Sequence, residues 1–273
     1  GTEMDHFLYR DGILHAEDCP CPDLAARFGT PCYVYAQTAI EHRFLALDAA
    51  FAAHPHQLHY AVKANANLAV LAVLARLGAG FDIVSGGELA RVLKAGGRAD
   101  RVVFSGVGKQ TAELRTALQA GIQCFNVESP AELSRLDGLA AELKCVAPVA
   151  IRVNPDVDAK THPYIATGLR ENKFGVDMTS ALALYRQAER SPHLRITGLA
   201  CHIGSQLTEP GPFVAALDRL LALAEQLHAE GIELAHLDLG GGLGIRYRHE
   251  TPPTPEAYAA AILGRLGISP YRL

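Results

Sequence analysis

Four short stretches carry residue types that can do chemistry, and each one closes an apolar run. Lys63 stands in Tyr60-Ala61-Val62-Lys63-Ala64-Asn65, at the carboxyl end of the first run. A partly desolvated lysine loses some preference for its charged form, and the neutral amine can attack an aldehyde carbon. A strand-end lysine can equally lay its stem on apolar surface and send its charge to solvent. Asp238-Leu239-Gly240-Gly241-Gly242-Leu243-Gly244 closes the last run. Glycines there let backbone N–H groups surround an anion, and the plainer reading is a turn that needs positive φ. Cys201-His202-Ile203-Gly204-Ser205-Gln206 offers a flat imidazole that can stack on a ring and a hydroxyl that can donate to phosphate. A histidine satisfied within the core is the competing reading for His202. Asp82 and Glu88, around the second run, can hydrogen-bond the lysine or whatever it holds, although a glutamate opening a helix is also stabilising in its own right.

The elements that must position these residues follow from periodicity. Short β-branched runs alternate with longer amphipathic stretches, which predicts a parallel α/β architecture. The runs are 58–64, 81–85, 102–105, 124–128, 149–154, 196–203 and 235–239, seven strands in all. Helices are predicted over 66–77, closing at Gly78, and over 88–95, closing at Gly96 and Gly97, where glycine accepts the left-handed conformation. Ser129, Pro130 and Glu132 supply a cap, a preset φ and a reciprocal carboxylate at another helix start, and Thr254-Pro255 opens the helix over 256–266. Strands that read as continuous Val/Ile/Leu runs suit a sheet covered on both faces. A (β/α)8 barrel is therefore expected, with active groups at the carboxyl ends of its strands. Only Gly267 to Leu273 follow the last helix, with Pro270 and no apolar run, so no eighth strand is expected and the barrel reads as incomplete.

Composition narrows the function classes. The chain has 273 residues, 49% hydrophobic, with a formal charge of -4. It has no run of Lys or Arg for a nucleic-acid backbone and no stretch near the roughly 18 apolar residues of a membrane span. Asp5 and Asp11 stand where a leader would be basic and then apolar, so a cytoplasmic home is expected, with neither nucleic acid nor membrane as partner. The six cysteines, Cys19, Cys21, Cys32, Cys124, Cys145 and Cys201, lack paired zinc spacing and read as reduced thiols. His54, His56 and His59 read as a solvated loop, and no metal site is expected.

Taken in order, Tyr-Ala-Val-Lys-Ala-Asn (60–65), Gly-Phe-Asp-Ile-Val-Ser-Gly-Gly-Glu (80–88), His-Ile-Gly-Ser-Gln (202–206) and Gly-Gly-Gly-Leu-Gly (240–244) resemble the diaminopimelate decarboxylase family, which uses pyridoxal 5'-phosphate on an alanine-racemase-like barrel. The stretch from Asn154-Pro155-Asp156 through Lys160-Thr161-His162-Pro163-Tyr164 to Asn172-Lys173-Phe174-Gly175 looks more like this family than like its ornithine- or arginine-specific relatives. The resemblance covers nearly the whole chain from about His6. It implies that Lys63 holds the cofactor, that His202 stacks on its ring, and that Ser205, Gly240, Gly241 and Gly242 bind its phosphate. Asp82, Glu88 and Arg152 would lie in the surrounding shell. The implied reaction is decarboxylation of meso-diaminopimelate to L-lysine, with Lys63 and His202 as the catalytic pair.

The resemblance also implies a division at residues 1–35, a segment that in the family joins a C-terminal β-domain, from the barrel over 36–273. The family's Glu-Pro-Gly-Arg segment and that β-domain are not found in these 273 residues, so the chain is expected to be C-terminally truncated and weak in decarboxylation by itself. The full-length family member is expected to be a homodimer acting on a small amino acid. Two other readings stand beside this one. A non-catalytic pyridoxal-phosphate carrier barrel has a similar lysine but no role for His-Ile-Gly-Ser-Gln or for the lead from Phe7 to Tyr35. Another decarboxylase or a racemase on the same barrel would need groups from the β-domain.

Overall fold

Apolar residues alternate with small or polar ones along the predicted strands, and this alternation decides which face of the sheet meets the helices. The structure, a computed structural model, describes residues 6–158 and 174–273. A small antiparallel sheet comes first, β1 (Phe7–Arg10), β2 (Ile13–Ala16) and β3 (Cys19–Pro20), followed by α1 (Cys21–Phe28) and α2 (Gln37–Ala50). The alternation then begins. It runs β4 (His59–Ala61), α3 (Leu68–Arg76), β5 (Gly80–Ile83), α4 (Gly86–Lys94), β6 (Val102–Phe104), α5 (Thr111–Ala120), β7 (Cys124–Val127), α6 (Pro130–Glu142) and β8 (Ala147–Arg152). It ends with α7 (Met178–Glu189), β9 (Leu194–Ala200), α8 (Gly211–Ala229), β10 (His236–Asp238) and α9 (Pro255–Leu266). The seven strands from β4 to β10 lie side by side in chain order and pair in parallel, so all seven expected strands are present in the expected architecture.

Phe81, Ile83, Phe104, Phe125, Val127 and Ile151 point outward, and none has exposed surface. They share one apolar cluster with Leu71, Leu89, Leu114, Leu133 and Leu136 of the covering helices. Each such side chain contributes about 1.5–3 kcal/mol on burial. The alternate positions face the barrel axis and are small: Val103, Cys124 and Ala150 form a separate cluster there.

The helix caps follow the sequence signals. Ser129 Oγ accepts from the Glu132 N–H at 3.1 Å, and Thr254 Oγ1 accepts from the Ala257 N–H at 3.1 Å. The reciprocal half of the first cap differs from expectation, because the Glu132 carboxylate accepts from the Glu128 N–H and pairs with Lys109.

The last residues add hydrogen bonds beside the sheet, and one further expectation is corrected. Arg272 and Leu273 lie between the last and first strands. The Leu237 N–H donates to Arg272 O at 2.8 Å, the Arg272 N–H to Ala235 O at 3.0 Å, and the Gln57 N–H to Leu273 O at 2.9 Å. His236 and Arg272 thus form an isolated parallel bridge beside β10, and the sheet keeps the seven strands expected of an incomplete barrel. A rung this short is not revealed by periodicity. The histidines of 54–59 are not a solvated loop. His54 Nε2 bonds Tyr271 O at 2.7 Å, His56 Nε2 meets Asp48 Oδ1 at 3.0 Å, and His59 Nε2 meets Gln123 Oε1 at 2.9 Å. In the strand register His59 stands opposite Gly80 and His236 opposite Gly198. A Cβ at Gly80 would lie 2.5 Å from the His59 ring, and one at Gly198 would overlap the His236 ring, so each glycine makes room for its neighbour's imidazole. All six cysteines are free thiols, as expected.

One buried hydroxyl repairs an irregularity in the sheet. The register of β8 against β9 slips after Val149, leaving Thr197 as the extra residue of a bulge. The Tyr185 hydroxyl, on α7, accepts from the Ile151 N–H at 3.2 Å and donates to Gly198 O at 2.7 Å. Tyr185→Phe keeps the ring and strands both backbone groups. It should lower stability by about 1–3 kcal/mol in urea denaturation without changing the strand order.

Candidate active site

The strands all end at one rim, and the turn after each strand decides which side chains reach it. β4 gives way to a single turn, Val62–Ala64, whose Val62 has no exposed surface and anchors it. Asn65 closes the turn through its N–H to Val62 O at 3.1 Å, and its own carbonyl accepts from the Tyr60 hydroxyl at 3.1 Å. This geometry turns Lys63 out at the barrel mouth. The amine is exposed, which corrects the expectation of a partly desolvated one: the turn carries it past the apolar walls of the strand. Among the described residues it makes no hydrogen bond or ion pair.

Asp82 points inward from β5 and is the most perturbed carboxylate of the rim. Burial, reinforced by the nearby charge of Asp238, pushes it up to about 7 against the Ser105 hydrogen bond and the charges of Lys63 and Arg152. Its Oδ1 is buried with no hydrogen-bond partner. Asn126, the inward residue of β7, joins its neighbours by donating to Ser105 Oγ at 3.1 Å and to Asp238 Oδ2 at 3.4 Å. Arg152, last in β8, meets Glu128 Oε1 through Nη1 at 2.5 Å, and its guanidinium lies 5.5 Å from the centre of the Phe174 ring.

His202 lies just beyond β9. Burial pushes its ring down to about 4, helped by the charges of Arg152 and Lys63 and opposed by Asp238. The imidazole is therefore neutral at physiological pH. Its Nδ1 accepts from the Gly241 N–H at 3.3 Å, and since a backbone N–H can only donate, the ring proton sits on Nε2.

The loops after β9 and β10 are zipped together. Leu207 and Leu243 form a parallel bridge, in which the Leu207 N–H donates to Gly242 O at 2.8 Å and the Gly244 N–H to Leu207 O at 2.8 Å. The side-chain amide of Gln206 adds bonds to both the N–H and the carbonyl of Ile245. Ser205 is thus held, exposed, beside the glycine run. A Cβ at Gly241 would meet nothing within 4 Å, so the loop opens outward. The amides of this cradle are partly occupied: the Gly240 N–H donates to Asp238 Oδ1 at 2.8 Å, and the Gly241 N–H donates to His202. An incoming anion would exchange with these acceptors, most easily at the long 3.3 Å bond.

The structure brings Lys63, Asp82, Arg152 and His202 within electrostatic reach of one another and zips the loop that carries Ser205 to the one that carries Gly240, Gly241 and Gly242. Glu88 differs. One of its carboxylate oxygens accepts from the Val84 N–H at 2.7 Å, and its own N–H donates to Ser85 Oγ at 3.1 Å, so it caps α4. Of the stretch from Asn154 to Gly175, residues 159–173 lie outside the described residues. Sequence reading passed over Asp238, Asn126, Ser105 and Glu128. A stricter period of two along β7 would have found Asn126 and Glu128, which alternate with the buried Phe125 and Val127.

Comparison with known proteins agrees with this fold. Residues 37–269 match the family described as "Pyridoxal-dependent decarboxylase, pyridoxal binding domain". The chain is 58% identical over 264 residues to a diaminopimelate decarboxylase of Vibrio cholerae, covering 96% of this chain and 63% of that protein. It is likewise 58% identical over 263 residues to one of Pseudomonas aeruginosa, covering 96% of this chain and 63% of that one. The chain thus spans under two thirds of the length of these relatives. The crystal structure of diaminopimelate decarboxylase from Helicobacter pylori complexed with L-lysine superposes with a TM-score of 0.89 at 42% identity, covering 92% of this chain and 64% of that one.

The raised Asp82 makes a testable statement about stability. A carboxylate held above its unfolded value favours folding at low pH, and that contribution is lost as pH rises from 3.8 to about 7. Asp82→Asn should therefore gain on the native chain as pH rises across this window, by at most about 1.4 kcal/mol per pH unit, and then level off. Urea denaturation of both proteins at pH 5, 6, 7 and 8 measures it.

Proposed function

Because the chain belongs to the pyridoxal-dependent decarboxylase family, matching its pyridoxal-binding domain, we propose that it holds pyridoxal 5'-phosphate at this rim and that the whole protein converts meso-diaminopimelate to L-lysine. The observation that carries the reading is the convergence at one mouth of an accessible amine, a neutral imidazole and an open glycine loop. The substrate is supported by the diaminopimelate decarboxylases among the relatives.

The residues suit the group. Lys63 is exposed and free to bond covalently to the aldehyde carbon, and to exchange that bond for a substrate amine. His202, neutral and fixed by the Gly241 amide, offers an uncharged flat face for stacking on the pyridine ring. Ser205 and the Gly240, Gly241 and Gly242 loop would receive the phosphate. Asp82, Arg152 and Glu88 form the surrounding polar shell in this reading, Glu88 through the Val84 amide that it holds. The unpartnered Asp82 Oδ1 is a buried oxygen for which a bound group would supply a donor. Arg152 and Lys63 place positive charge where a substrate carboxylate enters. When bound, the cofactor supplies the conjugated ring that accepts the electron pair left as CO₂ departs.

The division at residue 35 belongs to the same proposal. It is supported by the three-stranded sheet over 7–20, where Phe7, Leu8, Tyr9 and Ile13 are exposed. A homodimer and a cytoplasmic location of the whole protein rest on the family resemblance.

Titration of the chain with pyridoxal phosphate should develop the visible absorbance of a lysine-bound pyridoxal group, and Lys63→Ala should abolish it. An unchanged spectrum in Lys63→Ala would refute the assignment.

A further inference from the structure

Two buried ion pairs, Lys109–Glu132 and Glu128–Arg152, lie in series behind the rim, and of their four residues only Arg152 has a part in the proposed binding of cofactor. Lys109, in the loop after β6, has a side chain only 1% exposed. All three of its N–H groups have acceptors: Gly106 O at 2.8 Å, Asn126 O at 2.7 Å and Glu132 Oε1 at 3.1 Å, while Glu132 Oε2 lies 3.0 Å away as an ion-pair contact and accepts no hydrogen bond. Glu132 Oε1 in turn accepts from the Glu128 N–H at 3.2 Å. The backbone is therefore gripped on both sides of Val127, which fixes where Glu128 starts.

The Glu128 side chain is 1% exposed, and its Oε1 lies 2.5 Å from Arg152 Nη1. Glu128 Oε2 and Arg152 Nε are both buried without a hydrogen-bond partner. A guanidinium on a flexible stem needs a counter-charge to stay in so dry a place. Removing Glu128 would release Arg152 toward water. Arg152 is also the strongest charge acting on His202, ahead of Lys63 from the turn after β4 and Asp238 from β10.

We propose that Glu128, locked by the Lys109–Glu132 ion pair, is a positioning residue that holds the Arg152 guanidinium at the barrel mouth and so sets the environment of His202. The inference deepens the reading of the same site and rests on it only for the role of His202. Its test uses the chain without pyridoxal phosphate, so failure to bind the cofactor and failure of Glu128 to hold Arg152 leave different records.

The test turns on a sign. Loss of a negative charge acting directly would lower the pKa of His202, whereas loss of Arg152 from the mouth would raise it. NMR titration of the His202 ring, assigned by its disappearance in His202→Gln, should show a rise of about 0.5–1 pH unit in Glu128→Gln. Glu128→Asp keeps the charge but shortens the reach, and should shift His202 in the same upward direction. Arg152→Met should raise it too, and the Glu128→Gln/Arg152→Met double variant should match Arg152→Met alone, because Glu128 then has nothing to hold. A fall or no change in Glu128→Gln, or additive shifts in the double variant, would overturn the proposal. The native chain gives a further reading that needs no variant to fold: the Arg152 guanidinium should show separate, slowly exchanging ¹⁵N signals. Averaged signals like those of a solvated arginine would equally sink it.

Discussion

The rim depends on one forbidden side chain. A Cβ at Gly242 would run into the carbonyl oxygen of Gly204, and Gly242 itself has a φ of +107° that favours glycine. Because no side chain stands there, the loops after β9 and β10 can close on each other through the Leu207–Leu243 bridge. That closure forces Gln206 to a φ of +57°, a conformation uncommon for a residue with a side chain. Its side-chain amide offsets the strain by bonding both backbone groups of Ile245. Gly240 is bound by the same logic, since a Cβ there would stand 2.6 Å from Cys201 O and 2.8 Å from His202 Nδ1. The run of glycines is thus first a packing requirement, and its openness toward solvent at Gly241 follows from the packing.

Burial then dictates the charge state of the mouth. A region that holds Lys63 and Arg152 beside Asp82 and Asp238 cannot keep every group charged and dry. Asp82 yields by moving up to about 7 and His202 by moving down to about 4, both because of burial before any neighbour. The two shifts act oppositely on stability. Between about 4 and 6.5 the native Asp82 holds a proton that the unfolded chain releases, while the unfolded His202 holds one that the native ring has lost. Their slopes largely cancel in that window, so the mouth can be strongly perturbed while the fold as a whole shows little pH dependence from this pair.

Which features the sequence revealed and which it hid divide along the direction of the contacts. A strand such as Val102–Phe104 was legible because a strand covered on both faces reads as an unbroken apolar run. Helix starts were legible because Ser129 and Thr254 act within three residues of themselves. Lys63, His202 and the glycine loop were legible because each ends a run. The histidine and glycine pairs, His59 with Gly80 and His236 with Gly198, were not, since each is a contact across neighbouring strands whose partner lies 21 or 38 positions away. The bridge from His236 to Arg272 was hidden by its length, and the exposure of Lys63 by a turn that the strand pattern ran straight through.

The two ion pairs behind the rim are hard to explain by stability. A buried pair recovers its desolvation cost only with good geometry and full hydrogen bonding, and a well-packed apolar replacement is often as stable or more so. The Lys109 amine meets that standard, with three acceptors for three donors, and so can serve as a rigid staple joining the ends of β6 and β7 to α6, although Glu132 Oε2 is left buried without a hydrogen bond. The Glu128–Arg152 pair falls further short, because it leaves both Oε2 and Nε buried and unpaired. An arrangement that stabilises poorly by itself, yet is locked by a fully bonded amine, is explained by where it puts its charge. That charge sits at the carboxyl ends of the strands, facing the imidazole whose protonation it opposes. The fold therefore uses one fully bonded lysine to hold a poorly satisfied ion pair in place at the site.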